Sequence, residues 1–132
     1  MFNDVADTIF RADALVFGSP SYFATMSGEL KAFLERLCTV SLANDRLLAD
    51  KVGAGISVER RACAVNVVDS IQRILHMSQM IVPGSTYLNI GIGRDMGDVA
   101  SDTEAITNME HLAKTIVWLV QAFQNTPRPI EF

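Results

Sequence analysis

Cysteine is scarce in this sequence, and basic residues do not outnumber acidic ones. Two cysteines, Cys38 and Cys63, stand among 132 residues, which is too few for a disulfide framework. The formal net charge of −4 provides no basic footprint for nucleic acid. No apolar run approaches the roughly 18 residues that a membrane span needs. Asp4 and Asp7 stand where an export signal would be basic and apolar. We therefore expect a cytoplasmic protein that binds neither nucleic acid nor a membrane.

Residues that commonly carry catalysis are also few. His76 and His111 fall on predicted helices without metal-ligand spacing or a Ser or Asp companion, which favours helix-surface positions. Glu29 and Glu35 alternate with basic residues on the outer face of a predicted helix, and this pattern is typical of solvated charges. We predict no metal site and no catalytic side chain.

Helical and strand patterns alternate along the chain, whose 49% hydrophobic and 20% charged residues are typical of one folded domain spanning residues 1–132. The predicted helices are a short one capped by Asn3, then Gly28–Leu37, Val65–Gln79 and a last one capped by Ser101 or Asp102. The predicted strands are Ala14–Phe17, Lys51–Val58 and Met80–Val82. Pro127 and Pro129 lie in a tail. Such alternation predicts an α/β fold with a parallel sheet and right-handed crossovers.

The stretch from Ala12 to Leu37 is the most informative. Ala14–Phe17 is an apolar strand, and a loop rich in Gly, Ser and Pro that also holds aromatic residues follows it. Beyond this loop, Leu30, Phe33 and Leu34 begin the stripe of an amphipathic helix. Loops at the carboxyl ends of parallel strands are where open α/β sheets bind ligands.

This stretch resembles the flavin-contacting segment of the flavodoxin-like NAD(P)H-dependent FMN reductases, a group that includes iron-sulfur flavoproteins and tryptophan-repressor-binding-type quinone reductases. The matching residues are Gly18, Ser19, Pro20, Tyr22, Phe23, Ala24, Ser27, Gly28, Lys31, Ala32 and Phe33. Softer matches occur at residues 97–99, 102–105 and 112–114. An iron-sulfur cluster takes about four thiolates, so Cys38 and Cys63 cannot hold one within this chain. We expect Cys38 to be a buried apolar residue.

The resemblance implies a flavodoxin-like three-layer sandwich. That sheet has five parallel strands in the order 2-1-3-4-5, and the predicted strands correspond to the third, fourth and fifth. The family's first two strands and its phosphate-binding loop have no counterpart here, so we expect a carboxyl-terminal portion of such a domain. Ala14–Phe17 then becomes an apolar sheet edge, which invites another strand. We expect a homodimer or higher homo-oligomer, partly for this reason.

For the site, the resemblance implies FMN, with NAD(P)H as electron donor. The expected cofactor-binding residues are Ser19, Pro20, Ser21, Tyr22, Phe23, Ala24, Thr25, Met26 and Arg60. From spacing alone, Tyr22 and Phe23 could instead plug a corner between strand and helix. The loop after the second strand departs from the family's Gly-Gly-Gln-Glu and leaves the second flavin contact in doubt. There Arg60 and Arg61 could attract a nucleotide phosphate or form a solvated surface pair.

The implied function is an FMN-dependent NAD(P)H oxidoreductase that passes electrons to a quinone, a flavin or another small acceptor. The sequence does not distinguish NADH from NADPH. Two alternatives remain open: a flavodoxin-type electron carrier without hydride transfer, and a flavin-free remnant that acts as an assembly or interaction module. Without the phosphate loop, the chain alone could be inactive.

Overall fold

The computed structural model describes residues 2–126, and helices and strands alternate in that range as predicted. The helices are α1 (Phe2–Arg11), α2 (Gly28–Ala43), α3 (Ala64–Met77) and α4 (Thr103–Gln124), and the strands are β1 (Ala14–Pro20), β2 (Val52–Glu59) and β3 (Ile90–Ile92). A 3-10 turn, Asp98–Ser101, precedes α4. The predicted tail with Pro127 and Pro129 lies outside the described residues. Within residues 2–126, no helix is both long and apolar enough to cross a membrane.

The three strands form one parallel sheet in the order β1-β2-β3. Ala14 lies opposite Val52 at one end of the β1–β2 ladder, and Pro20 lies opposite Val58 at the other. The shorter β2–β3 ladder ends with Glu59 opposite Ile92. The predicted parallel α/β class is confirmed, and the carboxyl ends of all three strands lie at one edge of the sheet.

One face of the sheet carries the main core. Phe17 of β1 packs there with apolar side chains of α2 and α3, and apolar residues of α1 flank them. The innermost residues are Leu34, Leu37, Leu48, Val67 and Ile71. The opposite face carries α4. A Cβ placed on Gly91 of β3 would lie 3.6 Å from Cβ of Ala105 in α4. Three helices therefore cover one face, and one helix partly covers the other.

Two glycines of β2, which weaken the strand prediction, allow α3 to approach the sheet closely. A Cβ on Gly55 would lie 3.0 Å from Cβ and Cγ2 of Ile71, and a Cβ on Gly53 would lie 2.7 Å from Cε of Met80. Such contacts are closer than packed side chains tolerate. The tight α3–β2 packing therefore requires a residue without a side chain at Gly55, whereas at Gly53 the nearest atom ends the flexible side chain of Met80 and can move.

The prediction of the third strand at Met80–Val82 is wrong. Ile81 forms only an isolated bridge to Val52, and the ladder with β2 resumes at Ile90. Pro83 has no backbone N–H to donate, and the chain leaves the sheet over residues 82–89 before it returns.

Two buried asparagines hold this excursion. Asn89 donates from Nδ2 to the carbonyl of Gly55 at 3.3 Å, and its own carbonyl accepts from the N–H of Ser57 at 3.0 Å. Asn108 of α4 donates to the carbonyl of Leu88 at 3.2 Å. The side chains thus replace ladder bonds that the strand alone does not make.

Smaller differences concern element ends. β1 continues through Gly18 to Pro20, so the first part of the predicted loop is strand. α1 begins at Phe2, which places Asn3 inside the helix and not at its cap. Ser27 and Asp102 do cap α2 and α4, as predicted, because their side chains accept from the N–H of the third residue onward. His76 and His111 lie exposed on helices, which confirms their surface positions.

Candidate functional site

Three loops meet at the carboxyl edge of the sheet. They follow Pro20, Glu59 and Ile92, the last residues of the three strands. The N–H of Ser21 donates to the carbonyl of Val58 at 3.0 Å, and this bond ties the first loop to the end of β2. The predicted site loop therefore occupies the place where open α/β sheets bind ligands.

The base of the first loop is fixed by serines. Ser19, which is buried, accepts from the N–H of Ser27 at 2.9 Å and donates to the carbonyl of Pro20 at 2.8 Å. Ser57 of β2 donates from Oγ to the carbonyl of Ser19 at 2.8 Å. Met26, also buried, anchors the far end of the loop in the core. Ser19 and Met26 thus hold the loop in place and offer no open surface.

The tip of the loop is a two-residue hairpin turn. Tyr22 and Thr25 exchange backbone hydrogen bonds at 2.9 and 3.0 Å, and between them Phe23 and Ala24 have φ values of +47° and +66°. Positive φ at both central residues is the requirement of a type I′ turn, which normally selects Asn and Gly. A side chain in this left-handed region costs about 1–2 kcal/mol per residue.

The two aromatic rings of the turn are exposed. Phe23 has 105% and Tyr22 58% of its reference surface accessible. The alternative that these rings plug a corner between strand and helix is therefore wrong. Burial does not compensate the strain at Phe23, because the exposed ring does not contribute to the packing of the described residues. Strain without a packing gain is typical of functional positions.

The neighbouring loop, residues 60–63, carries the remaining predicted site residue. Arg60 and Arg61 are both exposed there, which agrees with a solvated pair and leaves both side chains accessible from the same edge. Cys63 is exposed at the start of α3 with φ +79°. Cys38 is half-buried in α2, and its Sγ lies 3.1 Å from Oγ of Ser78. It is therefore less buried than the sequence predicts.

Two helices that begin at this edge, α2 and α3, are capped by the chain's own side chains. Ser27 accepts from Leu30 at the start of α2. Glu59, which the sequence reading missed, accepts from the N–H of Ala64 at 2.6 Å at the start of α3. Helix amino termini are common phosphate sites. Each of these two side chains satisfies one of the N–H groups at its helix terminus.

Two aspartates shape the third loop. The pKa of Asp102 lies below its ordinary value, because the N–H groups of Ala105 and Ile92 donate to its carboxylate. The pKa of Asp98 is likewise lowered, by the N–H groups of Asp95 and Arg94. Both carboxylates are committed to backbone bonds, so they hold the loop and are not available as acids.

The chemistry of the turn suits a flat heteroaromatic ring with a polar edge. Tyr22 and Phe23 offer faces for stacking or packing. The N–H groups of Phe23, Ala24 and Met26 donate to no described residue and can serve ring acceptors. The turn thus offers one wall for a ring of this kind, and the caps of α2 and α3 each occupy one N–H of a helix amino terminus.

A sequence model of the NADPH-dependent FMN reductases matches residues 1–95, and the chain belongs to this family. It is 25% identical over 126 residues to an iron-sulfur flavoprotein of Methanocaldococcus jannaschii, covering 90% of this chain and 64% of that protein. It is 29% identical over 133 residues to an iron-sulfur flavoprotein of Archaeoglobus fulgidus, covering 92% and 66%. The chain thus spans just under two thirds of these relatives.

Solved structures agree on the fold. The Trp repressor binding protein of Bacillus subtilis superposes with a TM-score of 0.73 at 22% identity, over 84% of this chain and 74% of that one. A flavodoxin, WrbA-like protein of Agrobacterium tumefaciens has a TM-score of 0.69 at 17% identity, over 87% and 73%. The fold is flavodoxin-like, as expected.

Proposed function

We propose that this chain forms the ring-binding wall of an FMN site in an oxidoreductase that takes electrons from NAD(P)H and passes them to a quinone, a flavin or another small acceptor. The observation that carries the proposal is the strained, exposed turn at Tyr22–Phe23, clamped at its base by Ser19. Family membership and the flavoprotein relatives support it. When bound, the flavin accepts hydride and releases electrons.

The residues of the chain have distinct roles in this proposal. Tyr22 and Phe23 pack on the ring, and the N–H groups of Phe23 and Ala24 bond its polar edge. Ser19 and Met26 position the turn, because they tie it to the sheet and the core. Arg60, exposed on the adjoining loop, attracts a phosphate of the nicotinamide donor.

Flavin fluorescence tests the ring wall directly. FMN is titrated with the chain, and binding is read as quenching of flavin emission. We expect Phe23→Ala to weaken binding about three- to tenfold, the range of an aromatic packing contact. Tyr87→Ala is the matched control, because Tyr87 is similarly exposed, at 68%, but lies on the excursion before β3. Equal affinities for both variants, or no quenching with the parent chain, would contradict the proposal.

Oxidation of NADPH or NADH in the presence of FMN and a quinone tests the reaction. An oxidoreductase turns over, whereas a flavodoxin-type carrier shows almost no turnover. We expect Arg60→Ala to raise KM for the donor and Arg73→Ala, an exposed arginine on α3, to leave it unchanged. Equal KM values for the two variants would remove Arg60 from the proposed role.

A second candidate, a flavin-free interaction module, is favoured by the position of β1 as an edge strand of the sheet that the structure describes. It predicts no flavin quenching at any concentration.

We also propose that the protein is cytoplasmic and self-associates. Light scattering across a concentration series measures the latter.

A further inference from the structure

Two hollows lie beside β3, where the excursion before this strand faces the first turns of α4. The larger hollow has a volume of about 540 Å³ and the smaller one of about 120 Å³. Tyr87, Glu104 and Asn108 line both of them, so the two hollows adjoin. Sites for small molecules have volumes of a few hundred cubic ångströms, and the joined hollows fall within that range.

The two hollows differ in their chemistry. Hydroxyl groups of Thr86, Thr103 and Thr107 border the larger one. Apolar side chains that include Leu88 and Ile92 border the smaller one. A ligand that fills both therefore has an apolar part joined to a part rich in hydroxyl groups. A nucleoside has this composition in its base and its ribose, whereas a free sugar or a free base would use only one hollow.

Several polar groups of these hollows are available to a ligand. The Tyr87 ring is 68% exposed, and neither its hydroxyl nor the Glu104 carboxylate bonds to another described residue. Asn108 is only 4% exposed. Its side-chain carbonyl accepts from Thr86, and one of its two amide N–H bonds donates to the carbonyl of Leu88. The second N–H has no partner among residues 2–126. Because an unsatisfied buried donor is costly, an acceptor on a bound ligand would stabilise this side chain.

The charges of the hollows exclude a phosphate group. Among the described residues, no lysine or arginine lines either hollow, whereas Glu104 lines both and Asp102 borders the smaller one. These carboxylates would repel a phosphate. A carboxylate does accept hydrogen bonds from ribose hydroxyls, as at the ribose 2′-hydroxyl in dinucleotide-binding sites. The hollows therefore favour a nucleoside with an unmodified ribose.

We propose that these hollows bind a nucleoside, whose base packs on Tyr87 and whose ribose hydroxyls donate to Glu104. We further assign the nucleoside as the adenosine half of the electron donor, which makes the donor NADH and not NADPH. This assignment rests on the proposed function, whereas nucleoside binding by itself does not. The family description names NADPH, so a preference for NADH would be a property of the residues of this chain.

Positions along the carboxyl edge of the sheet support the assignment to the donor. The Tyr22–Phe23 turn follows β1, exposed Arg60 follows β2, and exposed Arg94 follows β3. The smaller hollow reaches Ile92 at the end of β3. Neighbouring strands are about 4.8 Å apart, so the ring wall, the two arginines and the hollows follow one another along this edge. A dinucleotide has the same order of groups, with nicotinamide, pyrophosphate and adenosine in sequence.

Titration of the chain with adenosine tests nucleoside binding without any flavin. NMR spectra of ¹⁵N-labelled protein follow the side-chain amide of Asn108 and the backbone amide of Tyr87, and we expect both to shift and to saturate. Tyr87→Ala should weaken adenosine binding about three- to tenfold, and Phe23→Ala should leave it unchanged. For FMN quenching we expect the reverse. Equal adenosine affinity in the parent and Tyr87→Ala overturns the proposal, as does an unshifted Asn108 amide. Equally tight binding of ribose alone overturns the nucleoside assignment.

Adenosine 2′-phosphate tests the role of Glu104. We expect the parent chain to bind it about tenfold more weakly than adenosine, because the added charge lies near the carboxylate. Glu104→Gln should reduce this difference to below about threefold. Glu110→Gln is the matched control, because Glu110 is also exposed on α4 but lines neither hollow. Equal affinities of the parent for the two compounds would overturn both the role of Glu104 and the preference for NADH.

Turnover with FMN and a quinone separates this inference from the proposed function. Tyr87→Ala should raise KM for NADH more than it changes kcat. An unchanged KM with adenosine binding intact would overturn the assignment to the donor and leave the nucleoside site. Absence of FMN quenching with adenosine binding intact would refute the proposed function and the assignment to the donor together, but not the nucleoside site.

Discussion

The backbone N–H of Ser27 donates to Oγ of Ser19 at 2.9 Å, across eight residues of chain. This bond closes the loop at its base, while the tip with Phe23 stands in solvent. Ser19 itself is buried, so its hydroxyl is shared between the two ends of the loop. The position of the turn thus depends on a buried side chain at its base.

Replacement of this hydroxyl should loosen the loop. In Ser19→Ala the N–H of Ser27 loses its acceptor in a part-buried place, and we expect the free energy of unfolding to fall by about 1–2 kcal/mol. Urea unfolding followed by circular dichroism measures this change. Ser70→Ala removes only an exposed bond to the carbonyl of Asn66 and should change stability by less than about 0.5 kcal/mol. Equal effects of the two substitutions would refute the clamp.

Relief of strain in the turn should separate stability from ligand affinity. Phe23→Asn combined with Ala24→Gly introduces the residues that a type I′ turn prefers, and we expect about 1 kcal/mol of added stability. FMN binding should weaken, because the ring is lost. Ala24→Gly alone relieves part of the strain and keeps the ring, so it serves as the control. Chemical unfolding and flavin quenching measure the two effects, and unchanged affinity in the double variant would contradict a role for Phe23.

Close packing between β2 and α3 predicts a strong position effect for glycine. In Gly55→Ala the new methyl group lies 3.0 Å from Ile71 and 3.3 Å from the carbonyl of Val68, and we expect a loss of about 1–3 kcal/mol from overpacking. In Gly84→Ala the methyl group meets no atom within 4 Å, so stability should stay within about 0.5 kcal/mol. Thermal unfolding of both variants decides the matter, and similar melting temperatures would show that α3 adjusts freely.

Acid should destabilise the third loop through Asp102. The N–H groups of Ala105 and Ile92 lower its pKa in the folded chain below the ordinary value of 3.8, so the unfolded chain binds the proton more tightly. The contribution of Asp102 is therefore present above that value and is lost as pH falls through the folded pKa. Urea midpoints at pH 6 and in steps below pH 4 should show a shallower acid decline for Asp102→Asn than for the parent. Identical losses of stability in the variant and the parent would show that Asp102 does not cause the acid sensitivity.

Local patterns predicted the elements whose signals lie within a few residues. The helical stripe at Leu30, Phe33 and Leu34 and the cap at Ser27 placed the start of α2 correctly, because capping and amphipathicity are properties of adjacent turns. The end of α2 at Ala43 lies beyond the predicted Leu37. No strong stop signal follows Leu37, and packing against the core continues the helix.

The third strand shows where local reasoning fails. Met80–Val82 has the composition of a buried strand, yet the chain leaves the sheet there and rejoins it at Ile90. The return to the sheet at Ile90 depends on hydrogen bonds that the side chains of Asn89 and Asn108 donate to distant carbonyls. The residues next to such an asparagine in the sequence do not reveal that its side chain replaces a ladder bond to a distant strand.

The order of residues alone determined the α/β alternation, the strand–loop–helix unit and its resemblance to FMN reductases, since each depends on near neighbours or on a contiguous motif. Only the tertiary structure decided that Phe23 projects into solvent while Met26 is buried, and that the chain leaves the sheet after Ile81 and rejoins it at Ile90. The physical reason is that exposure and hydrogen-bond satisfaction depend on partners far along the chain, such as Ser57 and Asp102, which spacing does not specify.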